Sequence, residues 1–244
     1  MKSAAFVVIG DEILSGKVKD ENIFVLAKAM HERGVRLNHI SVIPDSVSVI
    51  AKTIADFSAE YDYVCTCGGV GPTHDDKTFL GVATGLSLPL ILHEQALKYF
   101  SDCQKRAKSI SVVSDVQKKM LTFPSPCAVH FLDPLWLPLV VVKNVYIFPG
   151  VPSLFQRMVK GFMHVFMGEK FFVETMFTDH SETQIALMLK DAQDQNQDVM
   201  IGSYPRASCK PYSVMVTVEG LVDERVKQVS TLLMGLIDGR KSME

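Results

Sequence analysis

YDYVCTCGGVGPTHDDKTFLGVATGL, residues 61–86, is the stretch that decides the fold. Its first seven residues have strand character, Gly68 to Lys77 form a loop dense in glycine and acid, and helical spacing starts at Thr78. Strand, glycine loop and helix in that order make one step of a parallel βαβ unit. The loop itself is costly. Its glycines lose the most entropy on folding, and the adjacent carboxylates of Asp75 and Asp76 repel each other.

Outward from that stretch the same alternation repeats. SAAFVVIG, residues 3–10, is a continuous apolar run suited to a strand covered on both faces. From Asp20 to Arg33, Ile23, Leu26, Ala27 and Met30 recur at helical spacing, and Gly34 supplies a left-handed stop. VRLNHISVI, residues 35–43, is a second strand closed by Pro44-Asp45, and Val47, Ile50, Ala51 and Ile54 mark a second helix. Residues 93–121 have mainly helical character and are rich in lysine. PLVVVKNVYIFPG, residues 138–150, gives two apolar runs around Lys143-Asn144, a hairpin near one sheet edge. A helix follows Pro152, with Leu154, Phe155, Met158, Val159, Phe162 and Phe166 as a core-facing stripe. Residues 1–168 are therefore expected to form a doubly wound, mostly parallel α/β domain.

Beyond Gly168 the order changes. KFFVETMFT, SETQIALMLKDAQ, DVMIGSYP, YSVMVTVEG and VDERVKQVSTLLMGLI predict a βαββα lobe over residues 169–244, with Ser181 and Gln184 as a capping box.

With 25 basic and 27 acidic residues, the net charge of −2 gives no reason to expect nucleic acid or an anionic membrane as partner. The apolar run Ala4 to Ile9 is too short for a signal peptide, and no stretch reaches the roughly 20 apolar residues of a spanning helix. A soluble, cytoplasmic protein is the expectation. The five cysteines, Cys65, Cys67, Cys103, Cys127 and Cys209, form no CxxC pair and are expected to be reduced and packed as small apolar groups. Cys65 and Cys67 are placed on opposite strand faces.

Open parallel sheets bind ligands outside the carboxyl ends of their strands. Three polar clusters fall there: GDEILSG (10–16), Pro44-Asp45, and GGVGPTHDDKT (68–78). Gly68, Gly69 and Gly71 allow backbone amides to approach a phosphate, with the following helix N-terminus adding a favourable dipole. Asp11, Glu12, Asp45, Asp75 and Asp76 bring more negative charge than a bare phosphate site tolerates, which makes sense if a hard divalent cation bridges them to phosphate oxygens. Any one of these acids alone could equally be a helix cap. No lysine-hydroxyl P-loop pair is present, and the glycines do not space as GxGxxG.

Taken together, GDEILSG, VIPD, GGVGPTHDDKT, FPGVP and IGSYP, in this order, strongly resemble the molybdopterin-binding-like domain. That domain is shared by molybdopterin adenylyltransferases, CinA-type proteins and the N-terminal half of animal FAD synthases. The FAD synthase branch is the most similar, and the resemblance runs from Ala4 to about Val218. It implies a three-layer α/β domain and a metal-dependent diphosphatase acting on FAD, giving FMN and AMP, or on a related dinucleotide such as ADP-ribose. The ion expected is Mg, Co or Mn, with potassium as a possible companion. By resemblance Asp76, Asp45 and Asp11 are metal ligands and Glu12 joins them as a catalytic residue, whereas His74 is a catalytic candidate on its own chemistry, for proton transfer or a phosphate bond, with a surface or capping histidine as the alternative. Gly10, Ser15, Gly16, Gly68, Gly69, Gly71, Thr73, Asp75, Thr78 and Tyr204 are the nucleotide-binding set. A flavin or ADP-containing nucleotide is the expected partner, and a homo-oligomer the expected assembly. Leu154 stands where many bacterial relatives carry glutamate, so no acid role falls there. The reductase-like FMN adenylyltransferase domain of FAD synthases has no counterpart in these residues, so the chain is expected not to make FAD on its own. The alternative is a non-catalytic module that binds a flavin or pterin nucleotide, and molybdopterin adenylylation is the weaker third reading.

Overall fold

The computed structural model describes residues 1–107, 113–207 and 211–241, and the chain divides into two compact units, Met1–Gly168 and Glu169–Glu244.

In the first unit the chain runs β1 (Lys2–Ile9), α1 (Asp11–Leu14), α2 (Asn22–Glu32), β2 (Val35–Ile43), α3 (Val47–Glu60), β3 (Tyr63–Cys67) and α4 (Thr78–Gly85). It continues through β4 (Leu90–Leu92), α5 (Glu94–Arg106), α6 (Asp115–Lys119), β5 (Thr122–Pro124), β6 (Ala128–His130), β7 (Leu139–Val142), β8 (Val145–Phe148) and α7 (Pro152–Phe162). The six-stranded sheet has the order β2-β1-β3-β8-β7-β6. Pairs β2/β1, β1/β3 and β3/β8 are parallel, whereas β8/β7 and β7/β6 are antiparallel. The expected α/β class with a mostly parallel sheet is the observed one. The Lys143-Asn144 hairpin joins β7 to β8, and the edge beyond it is taken by β6.

Period-two alternation in the central strands splits the core into two layers. Val7, Ile9, Val64 and Ile147 face Ile50 and Ile54 of α3 and Phe79 and Val82 of α4. Phe6, Val8, Cys65, Cys67 and Phe148 face Leu26 and Met30 of α2 and Phe155 and Val159 of α7. Phe155 anchors this second layer, its ring 5.8 Å from that of Phe6 and 5.4 Å from that of Phe148. Each such fully buried side chain contributes roughly 1.5–3 kcal/mol over an exposed one.

Two expectations need correction. Cys65 and Cys67 share a face, because residues two apart on a strand point the same way. The helix after Pro152 stops at Phe162, and a 3-10 turn over Met163–Val165 carries Phe166 into the core instead. The lysine-rich region 93–121 is two helices, α5 and α6, with residues 108–112 between them outside the described set. The described cysteines, Cys65, Cys67, Cys103 and Cys127, are free, and Cys209 lies outside the described residues.

The second unit runs β9 (Phe172–Thr178), α8 (Glu182–Gln195), β10 (Val199–Pro205), β11 (Val214–Gly220) and α9 (Asp223–Leu236). Its antiparallel sheet, ordered β10-β11-β9, buries Met176, Val199, Val214, Val216 and Val218 under Ile185 and Leu189 of α8 and Val226 and Leu233 of α9. Ser181 and Gln184 form the capping box that opens α8. Among the described residues no helix is long and apolar enough to cross a membrane.

Candidate functional site

Adjacent parallel strands β2, β1 and β3 end side by side, so the three polar clusters meet at one rim of the sheet. Gly10 leaves β1 by donating to the Ile43 carbonyl at the end of β2 (3.1 Å), and the Asp11 N–H then donates to Asp45 Oδ2 (2.9 Å). On the other side Gly68 and Gly69 take the left-handed region, with φ of 98° and 61°. A Cβ on Gly68 would stand 2.1 Å from the Ile9 carbonyl oxygen, and one on Gly69 would stand 2.4 Å from Thr78 Oγ1 and 3.2 Å from Asp45 Oδ1. Glycine is required at both places by conformation and by space. Gly150, at the end of β8, completes the packing, since its Cβ would lie 3.0 Å from Gly68 Cα.

Asp76 closes the loop on itself. Its carboxylate accepts from Gly71 N–H (2.6 Å) and Thr73 N–H (2.7 Å), with the Thr73 hydroxyl also in reach. Thr78 ties the far end, donating its hydroxyl to the Gly68 carbonyl (2.7 Å) and its N–H to that of Gly69 (2.9 Å). Lys119 donates to the Thr73 carbonyl from α6.

The charge pattern centres on Asp45. Burial pushes its carboxyl above the ordinary 3.8, and the charges of Asp11, Glu12 and Asp75 push further, against the opposing effect of the Asp11 N–H bond. Asp75 is held below the ordinary value by the Thr73 hydroxyl, with His74 and Lys119 adding to it. Beneath the rim, burial raises the Cys67 thiol to about 12, which leaves it unreactive. Asn22, buried at the start of α2, donates to the Gly150 carbonyl (2.9 Å).

The glycine loop also lines a cavity of about 360 Å³, with Gly69, Gly71, His74, Asp76, Lys77 and Lys119 in its lining. Val47 of α3, Phe79 and Leu80 of α4, Leu90 of β4 and Thr122 of β5 line it too.

Residues 5–168 match the family model "Probable molybdopterin binding domain". The chain belongs to that family. Residues 170–243 match the model "FAD synthase, middle domain". A "Probable FAD synthase" of Caenorhabditis briggsae is 34% identical over 98% of this chain and 50% of its own length, and its Caenorhabditis elegans counterpart matches to the same extent. The chain thus spans about half the length of these curated relatives. An Archaeoglobus fulgidus protein is 29% identical over 96% of this chain and 98% of its own length. Among solved structures, the CinA protein of unknown function from Thermoplasma acidophilum matches 68% of this chain and 98% of its own, at 25% identity and a TM-score of 0.61.

Within this molybdopterin-binding-type domain, Asp11, Asp45, Gly69 and Thr78 come together, with Glu12 and Asp75 close enough to act on Asp45 electrostatically. Gly71, Thr73 and Asp76 form the second group. Ser15 and Gly16 are exposed and end α1, Ser15 Oγ donating to the Glu12 carbonyl (3.4 Å). Tyr204 belongs to β10 of the second unit and is 52% exposed. Lys119, Leu90 and Thr122 are the lining residues that sequence patterns missed; their only local signal is a solvated lysine and two short apolar runs.

The fit to a divalent ion follows from the donor set. Among the described residues no three acidic, histidine or cysteine groups are gathered to hold an ion by themselves. Asp76 has its oxygens turned to loop amides, and Asp45 keeps Oδ1 towards Gly69. An all-oxygen donor set with few free carboxylates suits a magnesium-like ion, which takes one or two carboxylates and completes its shell with water and phosphate.

Proposed function

We propose that the chain hydrolyses the diphosphate bond of a dinucleotide, FAD to FMN and AMP, or a related substrate such as ADP-ribose. The observation that carries this reading is the meeting of Asp11, Glu12, Asp45 and Asp75 around a two-glycine turn at the carboxyl rim of parallel strands. Asp45 and Asp11 are the carboxylates that hold a divalent ion, which when bound offsets the phosphate charge beside them. Asp76 fixes the loop so that Gly69 stays between the acids and the cavity, and any ligation by it uses lone pairs the amides leave over. Glu12, exposed beside Gly10, is placed to orient a water. His74, exposed at the cavity edge, is the imidazole within reach of the site that would carry a proton.

The engagement of Asp76 by loop amides favours a second reading, a flavin or pterin nucleotide-binding module without turnover. One experiment separates them: FAD and ADP-ribose are incubated with the chain and Mg, Co or Mn, alone and with potassium, against a chelator control. Release of FMN and AMP only with the ion supports hydrolysis. Binding without release supports the module.

A further inference from the structure

The cavity beside the glycine loop has a wall that hydrolysis at the acid cluster does not require. Val47, Phe79, Leu80 and Leu90 give the lining its apolar part, and Lys77, Lys119 and His74 line the same cavity. The carboxylate in the lining, Asp76, already accepts from two loop amides. Lys119 spends one donor on the Thr73 carbonyl, which fixes the ammonium beside the loop and leaves two donors for a ligand. The occupant that matches the lining joins an apolar part to an anionic one. At about 360 Å³ the cavity lies at the low end of ligand pockets, which suits a bicyclic base better than a tricyclic flavin.

We propose that this cavity takes the purine end of the dinucleotide, with the adjoining phosphate at Lys119 and Lys77. The proposal rests on the reading of the chain as a dinucleotide site and says which half enters first. Gly69 then separates the two halves of the task. It lines the cavity, and Asp45 Oδ1 lies 3.2 Å from where its Cβ would be. The purine half is common to FAD and ADP-ribose, so one cavity serves both substrates. Thr122, which also lines the cavity, donates its hydroxyl to the Lys118 carbonyl, so towards a base it acts as an acceptor.

Calorimetric titration of AMP, adenosine and FMN into the full chain with magnesium tests this. AMP binds to the unaltered chain. Leu90→Glu, at a position 36% exposed and therefore tolerant of charge, weakens AMP at least about tenfold by placing a carboxylate against the base and phosphate. Lys119→Ala weakens AMP about tenfold but adenosine less than about twofold, and Lys119→Arg restores AMP. The proposal is overturned if AMP does not bind, if neither variant changes its affinity, or if Leu90→Glu weakens FMN and spares AMP. Failure to cleave FAD, with these AMP results intact, sinks the hydrolysis reading and leaves the purine site standing. Turnover of FAD with AMP affinity insensitive to both variants does the reverse.

Discussion

The second unit and the sheet rim of the first treat their acids in opposite ways. In the second, Asp179 pairs with Arg240 (2.7 Å), Asp198 with Arg225 (2.7 Å), Asp194 with Lys190 (2.6 Å) and Asp223 with Lys227 (2.8 Å). At the sheet rim of the first, Asp11, Glu12 and Asp45 crowd together, and among the described residues no lysine or arginine closes on them within ion-pairing distance. Charges that neutralise each other on a surface are structural housekeeping of small energetic weight. Charges left repelling one another at the ends of parallel strands mark the place where something positive is to be bound.

The largest expected effect sharpens this contrast through glycine. Gly68→Ala forces a Cβ into the Ile9 carbonyl and should destabilise the first unit by about 3 kcal/mol or more. Gly235→Ala, at an exposed position of α9 with open space around it, should instead stabilise the second unit by up to about 1 kcal/mol. Urea unfolding followed by near-UV dichroism measures both. Equal effects would show that the glycine turn is no tighter than an ordinary helix surface.

Next comes the acid cluster. Asp45→Asn should reduce diphosphate hydrolysis about a hundredfold, as expected when a metal-holding carboxylate is lost. The metal-free variant should melt higher by about 1–3 °C at neutral pH. The sign follows from its raised carboxyl: ionisation is disfavoured in the folded chain, so that carboxyl favours folding while protonated and loses this as pH rises through its folded value. The gain from the amide should therefore vanish below about pH 4. A lower melting temperature at pH 7 would mean that Asp45 serves the fold through its Asp11 bond rather than strains it.

Much of this architecture was legible because it is local. The strands around Phe6 and Cys65, the α3 stripe of Ile50 and Ile54, and the capping box at Ser181 each declare themselves within a dozen residues. What stayed hidden is built from distant pieces. Strands β4 and β5 are three residues each, and the sequence between their paired residues Leu92 and Thr122 carries no period that joins them. The cavity wall they form, with Leu90 and Thr122, was therefore invisible, as was the bond from Asn22 to the Gly150 carbonyl 128 residues away. The acid cluster itself was legible by type and place, but the use of Asp76 as a brace for the loop was not, because Gly71 and Thr73 look like ligand-facing residues until their amides are seen to point at it.

Smaller effects should come from ion pairs outside the rim. Arg240→Ala removes two bonds to Asp179 and one to the Pro211 carbonyl, yet all are at the surface, so melting should fall by no more than about 2 °C and less in 1 M salt. The smallest is an acid-limb test at Asp62, whose carboxyl is held down to about 2 by the Lys2 ammonium and the Ser3 N–H. A depressed carboxyl favours folding above its unfolded value and loses that contribution as pH falls from about 4 towards 2, so Asp62→Asn should flatten the stability curve over that window only.

The contact between Gly68 and Gly150 also constrains how this chain can vary over generations. When a bulky substitution strains a packed site, a second change elsewhere can usually restore the fit by trimming the neighbour. Here the neighbour of each residue is bare main chain, Gly68 Cα against the position of a Gly150 Cβ and the Ile9 carbonyl against that of a Gly68 Cβ. No side chain is left to shorten, so neither position has a compensating partner, and lineages that keep the fold should keep both glycines.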